Sequence, residues 1–347
     1  CPLASGVTSM PRDTVAGLHN HKRDAEPDHG RDSGAGDTAV DLSSDTWYMM
    51  RPENSVKEKG TRVEFPDPEK VAKGSTVAIS VSVDGSSRSI YMHVPENYKK
   101  TEPAAVLVVY NGWGQKPGPG GTRAGAAGLE ELTGLSKEAD KNGMFVLYMN
   151  GNPEKDLSYN NGQYPFSKTD DVGYTAAVLD QLNENYNVDL ERITLSGYSQ
   201  GASFAHKAAA ELPEKYRPAN LVDISGWTTG KEAKVPVGMN FMSIQSEKDT
   251  VAPFDGRWFG LHMDSEDKTM QRYLKGNGIY QTKTPADKDS SPAVREVEWD
   301  APSGATIKSI SIPGYKGHDW HGSVGSEAPV NATKELIEFI RNKRRGS

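Results

Sequence analysis

The feature that most limits what this chain can fold into is the run Ile193-Thr-Leu-Ser-Gly-Tyr-Ser-Gln-Gly-Ala202. It sets Gly197-x-Ser199-x-Gly201 between a short apolar run and an alanine-rich segment, Ala202-Ser-Phe-Ala-His-Lys-Ala-Ala-Ala210. A serine on a strand-to-helix turn this tight needs a small residue on each side, because side chains there would collide. Gly197 and Gly201 meet that need. Ser199 is then expected to stand above the end of a strand. Its hydroxyl would lie near a helix N-terminus, whose partial positive charge favours a developing anion. A plain glycine-rich turn between strand and helix is the alternative, and the flanking elements favour the nucleophilic serine.

The rest of the chain alternates in a matching way. Apolar runs at 105–110, 144–148, 193–195, 221–224, 239–244 and 307–312 predict strands. Helix-period stretches at 129–141, 171–186, 202–212, 268–275 and 333–341 fall between or after them. That alternation is the signature of a mostly parallel sheet built from βαβ units and flanked by helices. Upstream, 76–83, an Asp84-Gly85 turn and 89–94 predict an antiparallel hairpin that opens the sheet. Asp170-Asp171, just before a helix, is expected to cap it. The Lys, Asp, Ser and Pro of 282–291 predict a surface loop.

Residues 1–45 show neither period and are rich in Gly, Asp, Ser, His and Arg, so they read as a disordered leader or tether. The catalytic domain is expected over 46–347. A formal net charge of -7 argues against a binder of nucleic-acid phosphates, which needs clustered Lys and Arg. Cys1 is the one cysteine, so no intramolecular disulfide can form. No apolar run approaches the roughly 18 residues that span a bilayer. A leading Cys before a polar stretch matches a mature lipoprotein whose first residue carries the lipid, and matches a trimmed chain equally well. Lys22-Arg23 offers a dibasic processing site. The expected station is secreted or extracytoplasmic, with membrane contact only through a lipid on Cys1.

A serine hydroxyl needs a histidine base and an acid to orient that base. In this chain order they should follow Ser199. Asp249, in Gln245-Ser-Glu-Lys-Asp249, sits just past a predicted strand, with Glu247 and Asp255 as competitors. His318, in Gly314-Tyr-Lys-Gly-His318-Asp-Trp-His-Gly322, follows the last strand, with His321 as rival. The amides of Gln200 and of Trp113, in Tyr110-Asn-Gly-Trp-Gly114, are the expected oxyanion-hole donors. Trp113, Trp227, Trp258 and Trp320 lie on expected loops near strand ends and are candidates to stack on substrate. No His-Glu-x-x-His, cysteine cluster or dinucleotide-binding glycine motif occurs, so no metal or other cofactor is implied.

Several segments carry a resemblance. They are Arg88-Ser-Ile-Tyr-Met-His-Val-Pro-Glu-Asn-Tyr98, Val109-Tyr-Asn-Gly-Trp113, Asp170-Asp-Val-Gly173, Tyr186-Asn-Val-Asp189, the Ser199 motif, Asp249 to Pro253, and Gly317-His-Asp-Trp320. The resemblance covers roughly residues 76 to 340. In them the chain resembles the polyhydroxybutyrate depolymerase and feruloyl esterase group of α/β hydrolases, which also includes acetylxylan esterases. The resemblance implies an α/β-hydrolase fold and a serine esterase acting through an acyl-enzyme. It assigns Ser199, Asp249 and His318 as nucleophile, acid and base. Its substrates would be feruloyl or acetyl esters of plant polysaccharide, or a polyhydroxyalkanoate-type polyester. The chain departs from the group at Asn111-Gly112 and at Gln245-Ser246, where relatives often carry His-Gly, and at His321, where they have proline. Two other readings stay open: a serine peptidase or amidase on the same fold, and a catalytically idle binding protein.

Overall fold

The computed structural model describes residues 59–114, 123–230, 234–258, 260–280 and 293–346. Val56–Ser347 forms one compact unit. The leader expected over 1–45 and the loop expected over 282–291 lie outside the described residues.

A ten-stranded sheet runs through this unit. Its strands are β1 (Thr61–Glu64), β2 (Ser75–Val83), β3 (Ser86–Val94), β4 (Ala104–Tyr110), β5 (Met144–Met149), β6 (Val188–Tyr198), β7 (Asn220–Ile224), β8 (Asn240–Ser246), β11 (Arg295–Asp300) and β12 (Thr306–Ile312). A separate two-stranded ribbon pairs β9 (Arg257–Trp258) with β10 (Leu261–His262). The spatial order in the large sheet is β1-β2-β3-β5-β4-β6-β7-β8-β12-β11. The six strands from β5 to β12 in that order pair in parallel, and both ends of the sheet are antiparallel. The expected hairpin is present: Val83 faces Ser86 across Asp84-Gly85, and both turn residues have positive φ, 49° and 78°. That is the turn whose twist suits two paired strands.

Every residue of β4 and β5 is buried, which is why each reads as an unbroken apolar run. Alternation then divides them between two cores. Val106, Val108 and Tyr110 join one cluster, and Leu107 and Val109 join the other on the opposite face. Helices α1 (Gly125–Thr133), α2 (Leu135–Asn142) and α6 (Ala332–Ile340) supply the second cluster, while α3 (Asp171–Asn185), α4 (Gln200–Glu211) and α5 (Glu266–Gly276) supply the first.

Two expectations need correction, and strand β11 was not among those expected. The helix predicted over 129–141 is two helices, because Gly134 takes φ 65° and ends the first by donating its amide to Glu130. Strand β11 escapes the pattern because four of its six residues are charged, as suits a sheet edge. Asp170 does cap α3, accepting from the Gly173 amide at 2.9 Å, but Asp171 has another role. Its carboxylate pairs with Arg88 at 2.7 Å, and both side chains are wholly buried.

Candidate active site

Ser199 follows β6 directly and precedes the first residue of α4. Its backbone sits at φ 56°, ψ -125°, a region that non-glycine residues rarely occupy. The surroundings hold it there. Its amide donates to Ile224 O at 2.9 Å. A Cβ on Gly197 would lie 2.6 Å from Ala202 N, and one on Gly201 would lie 2.2 Å from Asn111 O. The motif's glycines are therefore required by close backbone approach on both sides of the serine.

The structure brings the three expected side chains together at the C-terminal ends of parallel strands. His318 Nε2 lies 2.8 Å from Ser199 Oγ, and His318 Nδ1 lies 2.6 Å from Asp249 Oδ2. The other carboxylate oxygen, Oδ1, accepts from the amides of Val251 at 2.7 Å and Ala252 at 3.0 Å. A carboxylate so oriented can only accept, so Nδ1 carries the imidazole proton and Nε2 is left as acceptor for the serine hydroxyl. Such a chain can take the hydroxyl proton as the oxygen attacks.

The rivals are engaged elsewhere. Glu247 binds Arg295 and the Ser311 hydroxyl, and Asp255 is exposed. His321 is fully buried with Nε2 2.8 Å from Ser246 Oγ, and burial lowers its pKa to about 4.

Gln200 is the first residue of α4, so its amide has no acceptor within the helix. Its side chain clasps the Tyr159 backbone, accepting from the amide at 3.0 Å and donating to the carbonyl at 2.7 Å. Gly112 passes so near the serine that a Cβ there would lie 3.4 Å from Ser199 Cβ and 2.8 Å from the Tyr198 ring. Trp113 is the next residue. Asn111 fixes this loop. Its side-chain Oδ1 accepts from Gly151 N at 2.9 Å and Tyr159 OH at 2.7 Å, while its side-chain Nδ2 donates to Leu157 O at 3.1 Å. The departure from His-Gly at this position thus carries an anchoring role that sequence reading missed. Beside the loop opens a cavity of about 180 Å³ lined by Gly112, Trp113, Leu129, Leu132, Tyr198 and His318.

The four tryptophans separate. Trp113 is 46% exposed and meets Phe166 edge to face at 5.4 Å. Trp227 is buried with Phe166, Ala252 and Met263, and its indole donates to Gln163 at 3.2 Å. Trp320 is 1% exposed, with its indole N-H on Thr333 at 2.9 Å. Trp227 and Trp320 are therefore buried, contrary to the loop exposure expected of them, although Trp320 also borders the cavity beside Trp113. Trp258 contributes backbone to β9, and its side chain lies outside the described part. Among the described residues no cluster of three or more His, Cys, Asp or Glu is arranged to hold a metal ion.

No family model matches the chain. NocK of Nocardia uniformis subsp. tsuyamanensis, provisionally named an esterase, is 26% identical over 290 residues, 77% of this chain and 81% of that one. The bifunctional acetylxylan esterase/xylanase XynS20E of Neocallimastix patriciarum is 25% identical over 131 residues, 38% of this chain and 17% of that protein. Among solved structures, a thermostable esterase superposes with a TM-score of 0.52 at 15% identity, over 78% of this chain and 63% of that one. The acetyl xylan esterase from Aspergillus awamori does so at 0.50 and 16% identity, over 73% and 93%. The fold is that of the α/β hydrolases.

Proposed function

We propose that this chain is a serine carboxylic-ester hydrolase that works through an acyl-enzyme. The observation that carries the reading is the unbroken chain from Ser199 through His318 to Asp249, with links of 2.8 and 2.6 Å. In the proposed cycle His318 takes the proton of Ser199 as its oxygen adds to the ester carbonyl. The amides of Gln200 and Trp113 stabilise the tetrahedral anion, a contribution of about 3 to 4 kcal/mol per donor in comparable sites. His318 then returns the proton to the leaving alcohol. Water enters by the same route in reverse and releases the acid. Asp249 keeps the imidazole in its tautomer throughout.

The substrate class we propose is an acetyl or feruloyl ester of plant polysaccharide, or a polyhydroxyalkanoate-type polyester. Support comes from the segments that resemble that group and from the acetylxylan esterases among the matched proteins. Ser199→Ala in a p-nitrophenyl acetate assay tests the mechanism: turnover is expected to vanish, and retained turnover would remove the nucleophile. A screen of feruloyl, acetyl, polyhydroxyalkanoate and other polyester substrates tests the class. Selectivity for none of them would remove it.

A further inference from the structure

Three successive carbonyls in the His318 loop, those of Gly317, His318 and Asp319, are each held by a hydroxyl from the end of a different strand. Ser246 Oγ donates to Gly317 O at 2.8 Å, Tyr198 OH to His318 O at 2.6 Å, and Ser225 Oγ to Asp319 O at 3.3 Å. Ser246 is the last residue of β8, Tyr198 is the last of β6, and Ser225 follows β7 directly. The loop itself, Gly314-Tyr-Lys-Gly-His-Asp-Trp-His-Gly322, holds three glycines, and within it Tyr315 OH donates to Asp319 Oδ2. These outside bonds to the backbone add to the Asp249 contact in fixing where the His318 imidazole stands.

Tyr198 does more than donate one hydrogen bond. Its ring lies 5.2 Å from the His318 ring at a 39° tilt, and on another side it leaves no room for a Cβ at Gly112. One side chain thus sits against both the base and the loop that carries Trp113. Burial, with Asp319 and Asp249 nearby, pushes the phenol well above its ordinary value, so it stays a neutral donor. Because Tyr198 immediately precedes Ser199, the nucleophile and the anchor of its base are consecutive residues.

We propose that Tyr198, together with Ser225 and Ser246, is a positioning device that ties the His318 backbone to the strand ends and keeps Nε2 in line with Ser199. It rests on the reading of Ser199 as nucleophile. The residues act through His318 and need not touch substrate.

Tyr198→Phe keeps the ring contact and removes only the hydroxyl. Turnover of p-nitrophenyl acetate at saturation, kcat, is expected to fall about 10-fold, with KM changed by less than about twofold, because the loss is one of alignment and not of binding. Labelling of Ser199 by a fluorophosphonate probe should slow by the same factor. Ser225→Ala, which removes the longest of the three bonds, is expected to lower kcat about threefold and serves as the second variant if Tyr198→Phe does not fold. Ser246→Ala is less clean, since that hydroxyl also meets His321. Parent kcat and labelling rate in Tyr198→Phe, or a rise in KM at parent kcat, would overturn the positioning role while Ser199→Ala remained inactive. Turnover retained by Ser199→Ala would instead overturn the proposed function.

Discussion

Replacing Gly201 with alanine tests whether the Asn111–Trp113 loop and the start of α4 are as closely fitted as the structure shows. The new Cβ would lie 2.2 Å from Asn111 O and 2.6 Å from Tyr110 O, both backbone atoms, where ordinary contact begins at 3.4 Å. About 1.2 Å must be found somewhere. The loop is held by the Asn111 side chain on Gly151, Leu157 and Tyr159. The helix start is held by Gln200 on Tyr159 and by the Ser199 amide on Ile224. Neither side yields freely, so overpacking should cost about 1–3 kcal/mol of stability. A displacement on the order of 1 Å between the Trp113 and Gln200 amides should cost about 100-fold in kcat/KM. Urea unfolding measures the first, and p-nitrophenyl acetate turnover corrected for the folded fraction measures the second. A folded Gly201→Ala protein with kcat/KM within about twofold of the parent would refute the reasoning.

Further outcomes are expected away from Ser199. Glu266 is buried, and burial first and the Asp223 charge second raise its carboxyl to about 8 from 4.5. Between those values the unfolded chain gives up a proton that the folded protein keeps, so stability falls as pH rises through that window. Glu266→Gln should therefore gain on the order of a few kcal/mol relative to the parent at about pH 8 and little at about pH 4, read from urea unfolding. An equal difference at both would contradict it. Arg88→Met leaves Asp171 buried without its partner and should destabilise by about 3–5 kcal/mol, whereas Arg88→Met with Asp171→Leu should recover much of the loss. Equal unfolding midpoints for the single and double variants would contradict that.

The central strands were legible in the sequence because burial on both faces leaves β4 and β5 no polar positions. The edges were not. In β11 only Val297 is buried, so its Arg-Glu-Val-Glu-Trp-Asp reads as a surface stretch until β12 is known to lie beside it. The break between α1 and α2 depends on one backbone angle at Gly134, which hydrophobic period does not encode. In the site, Ser199, Asp249 and His318 could be found because the tight turn demands glycines and the chain order of the partners is fixed. Tyr198, Ser225 and Ser246 could not. Their hydroxyls matter only through which carbonyls the folded loop presents, and nothing local in the sequence marks that. Trp227 and Trp320 proved buried for the opposite reason: a position on a loop says nothing about burial, and Trp320 turns inward onto Thr333.

The account is tested most directly by trapping its intermediate. Purified protein mixed with p-nitrophenyl acetate and acid-quenched within the first turnover is expected to carry one acetyl group, and peptide mapping by mass spectrometry is expected to place it on Ser199. Hydrolysis proceeding with Ser199 unmodified at every time point, or with the acetyl group on another residue, would contradict it.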